Sequence, residues 1–111
     1  MIESFTFGKI VIEGETYEDI KIIDDKVFIW HYIVHHTVTQ RDVIEIFGDN
    51  PEYVVIGIGT SKFVRVDKDV IELAQKKNIK LLIEDTEKAC QKYNQLKQQG
   101  KKVNAIIHAT C

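Results

Sequence analysis

A short apolar stretch in the middle of the chain organises the pattern of hydrophobic and polar positions. Residues 53–61 begin with the β-branched run Val54, Val55 and Ile56 and pass into Gly57 and Gly59. An apolar run of this length that breaks into glycines is typical of a buried strand ending in a tight loop. The sequence therefore predicts an interior strand here, with a glycine-containing loop at its carboxyl end.

Downstream of this stretch the pattern alternates between helix and strand periodicity. It predicts, in order, a helix over 67–77, a strand over 79–84, a helix with Thr86 as its N-cap, and a strand over 103–109. The apolar stripes of the two helices are Val70, Leu73 and Ala74, and Ala89, Cys90, Tyr93 and Leu96. Strands joined through helices are usually parallel neighbours, so a parallel sheet is expected in this half.

Upstream, the pattern favours strands over 5–12, 17–23 and 27–34, and the last two are expected to form an antiparallel hairpin. The strand 27–34 is apolar or aromatic on both faces, which predicts cover on both sides over most of its length. A helix over 40–47 follows, with Thr39 and Asp42 as a capping box and Val43, Ile44 and Phe47 as its buried stripe.

Together these elements predict an α/β fold: one three-layer domain over residues 1–111, with a mixed central sheet, a parallel C-terminal half and antiparallel N-terminal strands. The net charge of −2, with only two arginines, does not favour binding to nucleic acid. The sequence has no apolar run of 18 residues, so it predicts no membrane span. Two cysteines do not make a disulfide framework, and no secretory leader is evident. We therefore expect a soluble, cytoplasmic protein with reduced thiols.

Three groups of residues carry a resemblance to a known family. They are Trp30 and His36 with the stretch 55–61; Thr86, Ala89, Tyr93, Asn94, Leu96 and Gly100; and the ending His108, Ala109, Thr110 and Cys111. On these residues the chain resembles a family of small uncharacterised domains that includes the adipogenesis-associated domain proteins of animals. A related branch contains an assembly factor for mitochondrial respiratory complex I. The resemblance implies a three-layer α/β fold and no established activity, cofactor or catalytic residues.

Ligands of open α/β sheets bind where the parallel strands end, and three segments of this chain are expected to meet there. The candidate ligand-binding residues are Gly57, Gly59, Thr60, Ser61, Thr86 and His108. Helix N-termini beside glycines suit anions. Against this, the glycine pair lacks the third glycine of a dinucleotide loop, and carboxylates crowd the two helix starts. The alternative is that the glycines only allow the sheet to turn and pack closely.

Other chemistry is less well supported by the sequence. His108 with Cys111, and Asp85 nearby, could form a nucleophile with its base, but no basic surroundings favour the thiolate. The histidines His31, His35, His36 and His108, with Cys111, match no common zinc spacing. We therefore predict no metal and no cofactor. The aromatic residues Phe28, Trp30 and Tyr32 are expected to pack in the core, or to form a protein-binding patch if their face is open.

Three hypotheses remain open. The chain is a protein-interaction or assembly module, a small-molecule or anion-binding domain with or without enzymatic activity, or a structural protein that self-associates. The failure of every catalytic motif favours the first.

Overall fold

The computed structural model describes residues 1–30 and 36–109, within which the chain forms ten strands and three helices. The strands are β1 (Ile2–Thr6), β2 (Lys9–Ile12), β3 (Glu15–Tyr17), β4 (Ile20–Ile23), β5 (Lys26–Ile29), β6 (Thr37–Val38), β7 (Tyr53–Ile58), β8 (Arg65–Val66), β9 (Lys80–Glu84) and β10 (Val103–His108). The helices are α1 (Gln40–Gly48), α2 (Lys68–Lys76) and α3 (Thr86–Gln98). No helix in these ranges is long and apolar enough to cross a membrane.

The central sheet has the order β5-β4-β10-β7-β9, so the last strand lies in the middle. β7 pairs in parallel with both β10 and β9, and Ile56 lies opposite Ile106 and Ile83. β4 pairs antiparallel with β10 and with β5. The predicted mixed sheet with a parallel C-terminal half is therefore confirmed, and every residue of β10 is buried.

Alternate residues of β10 face two different layers. Ile106 packs in a cluster with the buried residues of α1 and α2, whereas Ala105 and Ile107 pack with α3 and with Ile10 of β2. The second layer is completed by a separate three-stranded antiparallel sheet, β1-β2-β3. The three layers are thus α1 and α2, the central sheet, and α3 beside the small sheet.

Two of the predicted N-terminal strands are wrong, because each is divided. The chain turns at Gly8, whose φ is 77°, so that 5–12 belongs to two strands and Phe5 pairs with Ile10. The stretch 17–23 is broken after Tyr17: β3 pairs with β2 in the small sheet, whereas β4 belongs to the central sheet. Each break spans only two residues, 7–8 and 18–19, with apolar residues close on both sides, so the local pattern conceals it.

The strand predicted over 27–34 is β5 in its described part, and the hairpin with β4 is confirmed by the pairing of Ile22 with Val27. The prediction that other elements cover both faces is wrong for β5. β5 is an edge strand, and Phe28 and Ile29 are 46% and 60% exposed. The remainder of the prediction, including Tyr32, lies outside the described residues.

Helix α1 begins as predicted, since the Thr39 N–H donates to the Asp42 carboxylate over 2.9 Å. Its buried residues are Val43, Ile46 and Phe47, and the predicted Ile44 is wrong because it is 59% exposed. Spacings of three and four residues keep side chains on one face of a helix, and Ile44 falls beside that face.

Helix α3 buries the predicted stripe of Ala89, Cys90, Tyr93 and Leu96, but its predicted cap is wrong. The N-cap is Asp85, whose side chain accepts from the Lys88 N–H at 3.0 Å. Thr86 is the first helical residue, and its hydroxyl binds elsewhere, at the ends of the strands.

Candidate functional site

The strands β7, β9 and β10 end at the same side of the central sheet, which we call the carboxyl edge. There the Thr86 hydroxyl accepts from the Gly59 N–H over 2.8 Å and donates to the His108 carbonyl over 2.6 Å. The Thr86 N–H also donates to the Gly59 carbonyl. Thr86 is fully buried, so one hydroxyl links the ends of β7 and β10 to the start of α3.

Gly57 lies directly beneath this link. A Cβ atom added to it would meet Ile107 Cγ2 at 3.1 Å, Ala89 Cβ at 3.2 Å and Thr86 Oγ1 at 3.3 Å. These distances are too short for a side chain without displacement of its neighbours. Gly57 therefore allows α3 to pack closely on β7, as the structural alternative predicts.

The loop after β7 turns sharply at Gly59, whose φ is 94°, and the Lys62 N–H donates back to the Gly59 carbonyl. Thr60 and Ser61 lie exposed in this turn. Of the six candidate residues, the structure thus brings together Gly57, Gly59, Thr86 and His108 and leaves Thr60 and Ser61 on the surface. Ligand binding by this set stays a prediction.

His108 projects from the end of β10 into the layer of α1 and α2 and is 2% exposed. Its Nδ1 lies 3.0 Å from Oδ1 of Asp19, and the same oxygen accepts from the Ala109 N–H over 2.8 Å. Asp19 immediately precedes β4, the antiparallel neighbour of β10. Sequence reasoning missed Asp19 because no motif marks it, and its 89-residue separation from His108 is spanned only by the pairing of β4 with β10.

Two aromatic rings contact His108 in addition to Asp19. Trp30 and His36 each contact it edge to face, with ring centroids 6.1 Å apart, and Phe63 contacts His36 at 4.8 Å. The Trp30 indole N–H donates to Asp42 over 3.2 Å, which ties this ring to the first turn of α1. A carboxylate, two imidazoles and an indole therefore meet at the carboxyl edge.

The electrostatics of this edge do not favour an anion. The carboxylate of Asp85 already accepts at the N-terminus of α3, and Asp19 places a second carboxylate against His108. A carboxylate that holds an imidazole by Nδ1 is an arrangement that also occurs in acid–base catalysis. Here, however, the imidazole is buried and contacts two other rings. The same arrangement can have a structural role, which is to stabilise the end of β10.

Nucleophile and metal chemistry find little support in the described part of the chain. Burial, with Glu87 adding to it, raises the pKa of the Cys90 thiol to about 12, so this thiol stays protonated and unreactive. No group of three or more metal-ligating side chains occurs within residues 1–30 and 36–109. His31, His35 and Cys111, which entered the metal and nucleophile hypotheses, lie outside those ranges.

Three exposed apolar side chains belong to segments that are linked to the end of β10 by direct or intermediate contacts. Phe7 is 68% exposed and precedes Gly8, whose N–H donates to the Ala109 carbonyl over 2.7 Å. Phe63 is 59% exposed and contacts His36, and Ile29 is 60% exposed at the end of the edge strand β5. We call Phe7, Ile29 and Phe63 the apolar rim of the carboxyl edge.

Fold and site together define a small three-layer α/β domain whose strand ends are joined by buried polar side chains. The chain belongs to the family described as protein of unknown function (DUF498/DUF598), whose profile matches residues 2–108. The coarser part of the predicted resemblance, a family of small domains of unknown function, is confirmed. The family carries no established catalytic role.

Solved structures share this fold. A protein titled MT938 is 24% identical with a TM-score of 0.84, and covers 100% of this chain and 98% of its own. A conserved hypothetical protein from Pyrococcus horikoshii is 19% identical with a TM-score of 0.83, covering 100% and 99%. A protein from Bartonella henselae titled an outer membrane protein is 20% identical with a TM-score of 0.86, covering 99% and 94%. At these identities the likeness shows the fold alone.

Proposed function

We propose that this protein is a protein-interaction module and that the apolar rim is where its partner docks. The observation that carries the proposal is the exposure of Phe7, Ile29 and Phe63 around one strand end. Exposed apolar side chains scattered singly are ordinary, but a group around one feature of the fold marks an interaction surface more often. Aromatic anchors also dominate the energies of protein interfaces.

The polar contacts near the rim support a binding role. Thr86 and Asp42 hold the strand ends and Trp30 through hydrogen bonds, and Asp19 contacts His108 and accepts from the Ala109 N–H. A rigid base reduces the entropy that a surface loses when a partner binds. The resemblance to the adipogenesis-associated domain proteins, which have a related branch that contains an assembly factor, also supports a partner rather than a substrate. The free, buried thiol of Cys90 supports a cytoplasmic location, where thiols stay reduced.

The test compares rim variants with a matched control. Ile29→Ser and Ile44→Ser change the same residue type at nearly equal exposure, 60% and 59%, but only Ile29 belongs to the rim. Phe7→Ser and Phe63→Ser complete the rim set. Each tagged variant is incubated with extract of the host cell, and the captured proteins are quantified against wild type by mass spectrometry.

We expect the affinity of rim variants for a specific partner to fall by about tenfold or more, since a central anchor contributes roughly 2 kcal/mol. Ile44→Ser should retain it. Full retention by all three rim variants, or an equal loss in Ile44→Ser, would contradict the proposal. Sedimentation of the wild type over a wide concentration range separates a foreign partner from a second copy of this chain, because only self-association raises the mass.

The alternative, a small-molecule or anion site at the same edge, is favoured by the meeting of Gly59, Thr86 and His108. It is tested separately by the thermal unfolding of the protein with phosphates, nucleotides and small carboxylates. A ligand present at 100 times its dissociation constant should stabilise the fold by about 2.7 kcal/mol. A shift that His108→Ala abolishes would favour this site over protein docking.

A further inference from the structure

A depression of about 440 Å³ opens beside Ile29 of the apolar rim. Its volume lies within the range of pockets that hold small ligands or inserted side chains. It is lined by Thr16, Tyr17, Glu18, Asp19, Ile29 and Trp30. Two lining residues are held together, because the backbone N–H of Trp30 donates to the Asp19 carbonyl over 3.0 Å. This hydrogen bond joins the end of β5 to the start of β4.

The lining of this depression combines acidic residues with aromatic ones. Glu18 and Asp19 supply two carboxylates, and no lysine or arginine is among its described lining residues. Asp19 is shared with His108 and the Ala109 N–H, so exposed Glu18 is the carboxylate better placed to meet a new charge. Tyr17, Ile29 and Trp30 complete the lining; Tyr17 is half-buried and Trp30 is buried, whereas Ile29 is exposed.

These features fit a cation carried on an apolar stem. An ammonium or guanidinium group is attracted both by carboxylates and by aromatic faces. The methylene groups of lysine and arginine cover apolar surface while their charged ends remain near water. A carboxylate ligand would instead be repelled by Glu18 and Asp19.

We propose that the partner inserts a lysine or arginine side chain into this depression while its apolar residues cover the rim. The inference rests on the proposed docking function and adds the chemistry of the anchoring residue. The net charge of −2 on the chain is consistent with a basic contact on the partner.

The test uses n-butylguanidinium as the probe and n-butanol as its uncharged counterpart. Each is titrated into the ¹⁵N-labelled full chain, and chemical shifts are followed for the Trp30 indole N–H and the backbone amides of residues 16–19. We expect saturable shifts with n-butylguanidinium and none with n-butanol. Glu18→Gln should raise the dissociation constant of n-butylguanidinium about fivefold, which is the scale of an exposed charge pair.

Glu45→Gln is the matched control, because it removes another exposed carboxylate, on α1, that does not line the depression. Equal shifts with n-butanol, or equal affinities of Glu18→Gln and Glu45→Gln, would overturn the inference. The two proposals fail differently. Loss of the partner in rim variants together with no binding of the probe would keep the docking surface and remove the basic anchor.

Discussion

At the scale of single residues, Gly57 shows how a small side chain decides the packing of a whole helix. It lies within a buried strand, its φ is not positive, and three neighbouring atoms occupy the space that a Cβ would need. Its role is therefore steric. The two glycines of the candidate loop thus differ, since only Gly59 has a positive φ.

Gly57→Ala is expected to lower the free energy of unfolding by about 1–3 kcal/mol, the typical cost of overpacking a core. The reason is the crowding of Ile107, Ala89 and Thr86. Urea denaturation measures the change. Gly48→Ala is the control, because a Cβ there meets nothing within 4 Å, and alanine should leave stability unchanged or raise it. Equal stability of Gly57→Ala and wild type would show that α3 moves away without cost.

At the scale of elements, α3 holds the small sheet on the domain through Asn94. Its side-chain oxygen accepts from the Ile2 N–H over 2.8 Å, and its side-chain nitrogen donates to the Ile2 carbonyl over 2.6 Å. Both backbone groups of one residue of β1 are thus satisfied by one amide. At the other end of β1, Gly8 binds the Ala109 carbonyl.

Asn94→Ala is expected to destabilise the protein by about 1–3 kcal/mol, because it leaves partly buried backbone groups of Ile2 unpaired. The effect should be strongest locally. Hydrogen exchange should accelerate at the amides of β1 and change less in β10. Gln95→Ala serves as the control, since Gln95 is exposed on the same helix. Equal acceleration in both variants would argue against the role of the Asn94 amide.

The elements also show where sequence reasoning succeeds. The parallel half and all three helices follow from strong periodicity, and the stripe of α3 is correct to the residue. The N-terminal half is harder to predict, because the turn at Gly8 spans only two residues between β1 and β2. Edge or interior position is not encoded locally either, so Phe28 and Ile29 suggested a buried strand although their strand has a neighbour on one side only.

The candidate site follows the same rule. The meeting of Gly59, Thr86 and His108 could be predicted because parallel strands end together. The contacts of Asp19 and Trp30 with His108 could not, because they depend on how β4 and β5 lie against β10. The local sequence around each strand does not determine which strands become neighbours in the sheet.

At the scale of the whole molecule, two buried acidic groups on α3 couple stability to pH. Burial, with Glu87 adding to it, raises the pKa of Cys90 from 9.0 to about 12. Burial, with Asp25 adding to it, raises the pKa of the Tyr93 hydroxyl above its ordinary value of 10.0. Both groups therefore stay neutral in the folded protein at a pH where the unfolded chain has begun to lose these protons.

The sign of the effect follows from this difference. Above about pH 9 unfolding releases protons, so a rise in pH favours the unfolded chain. The stabilisation is complete below pH 9 and is lost as the pH approaches 12. Each group can contribute a slope of at most about 1.4 kcal/mol per pH unit. We expect the free energy of unfolding to decline steeply over this interval.

Cys90→Ala isolates the contribution of the thiol. Between pH 9 and 10 the unfolded chain ionises Cys90 ahead of Tyr93, so the variant should show a shallower decline there than its parent. Urea denaturation at each pH measures the slopes, in a Cys111→Ser background because Cys111 is a second thiol outside the described residues. The variant also loses packing, but that loss displaces its whole stability curve without changing the slope. Parallel curves for variant and parent would mean that Cys90 ionises as readily in the folded domain as in the unfolded chain, and that α3 does not exclude water from its buried face.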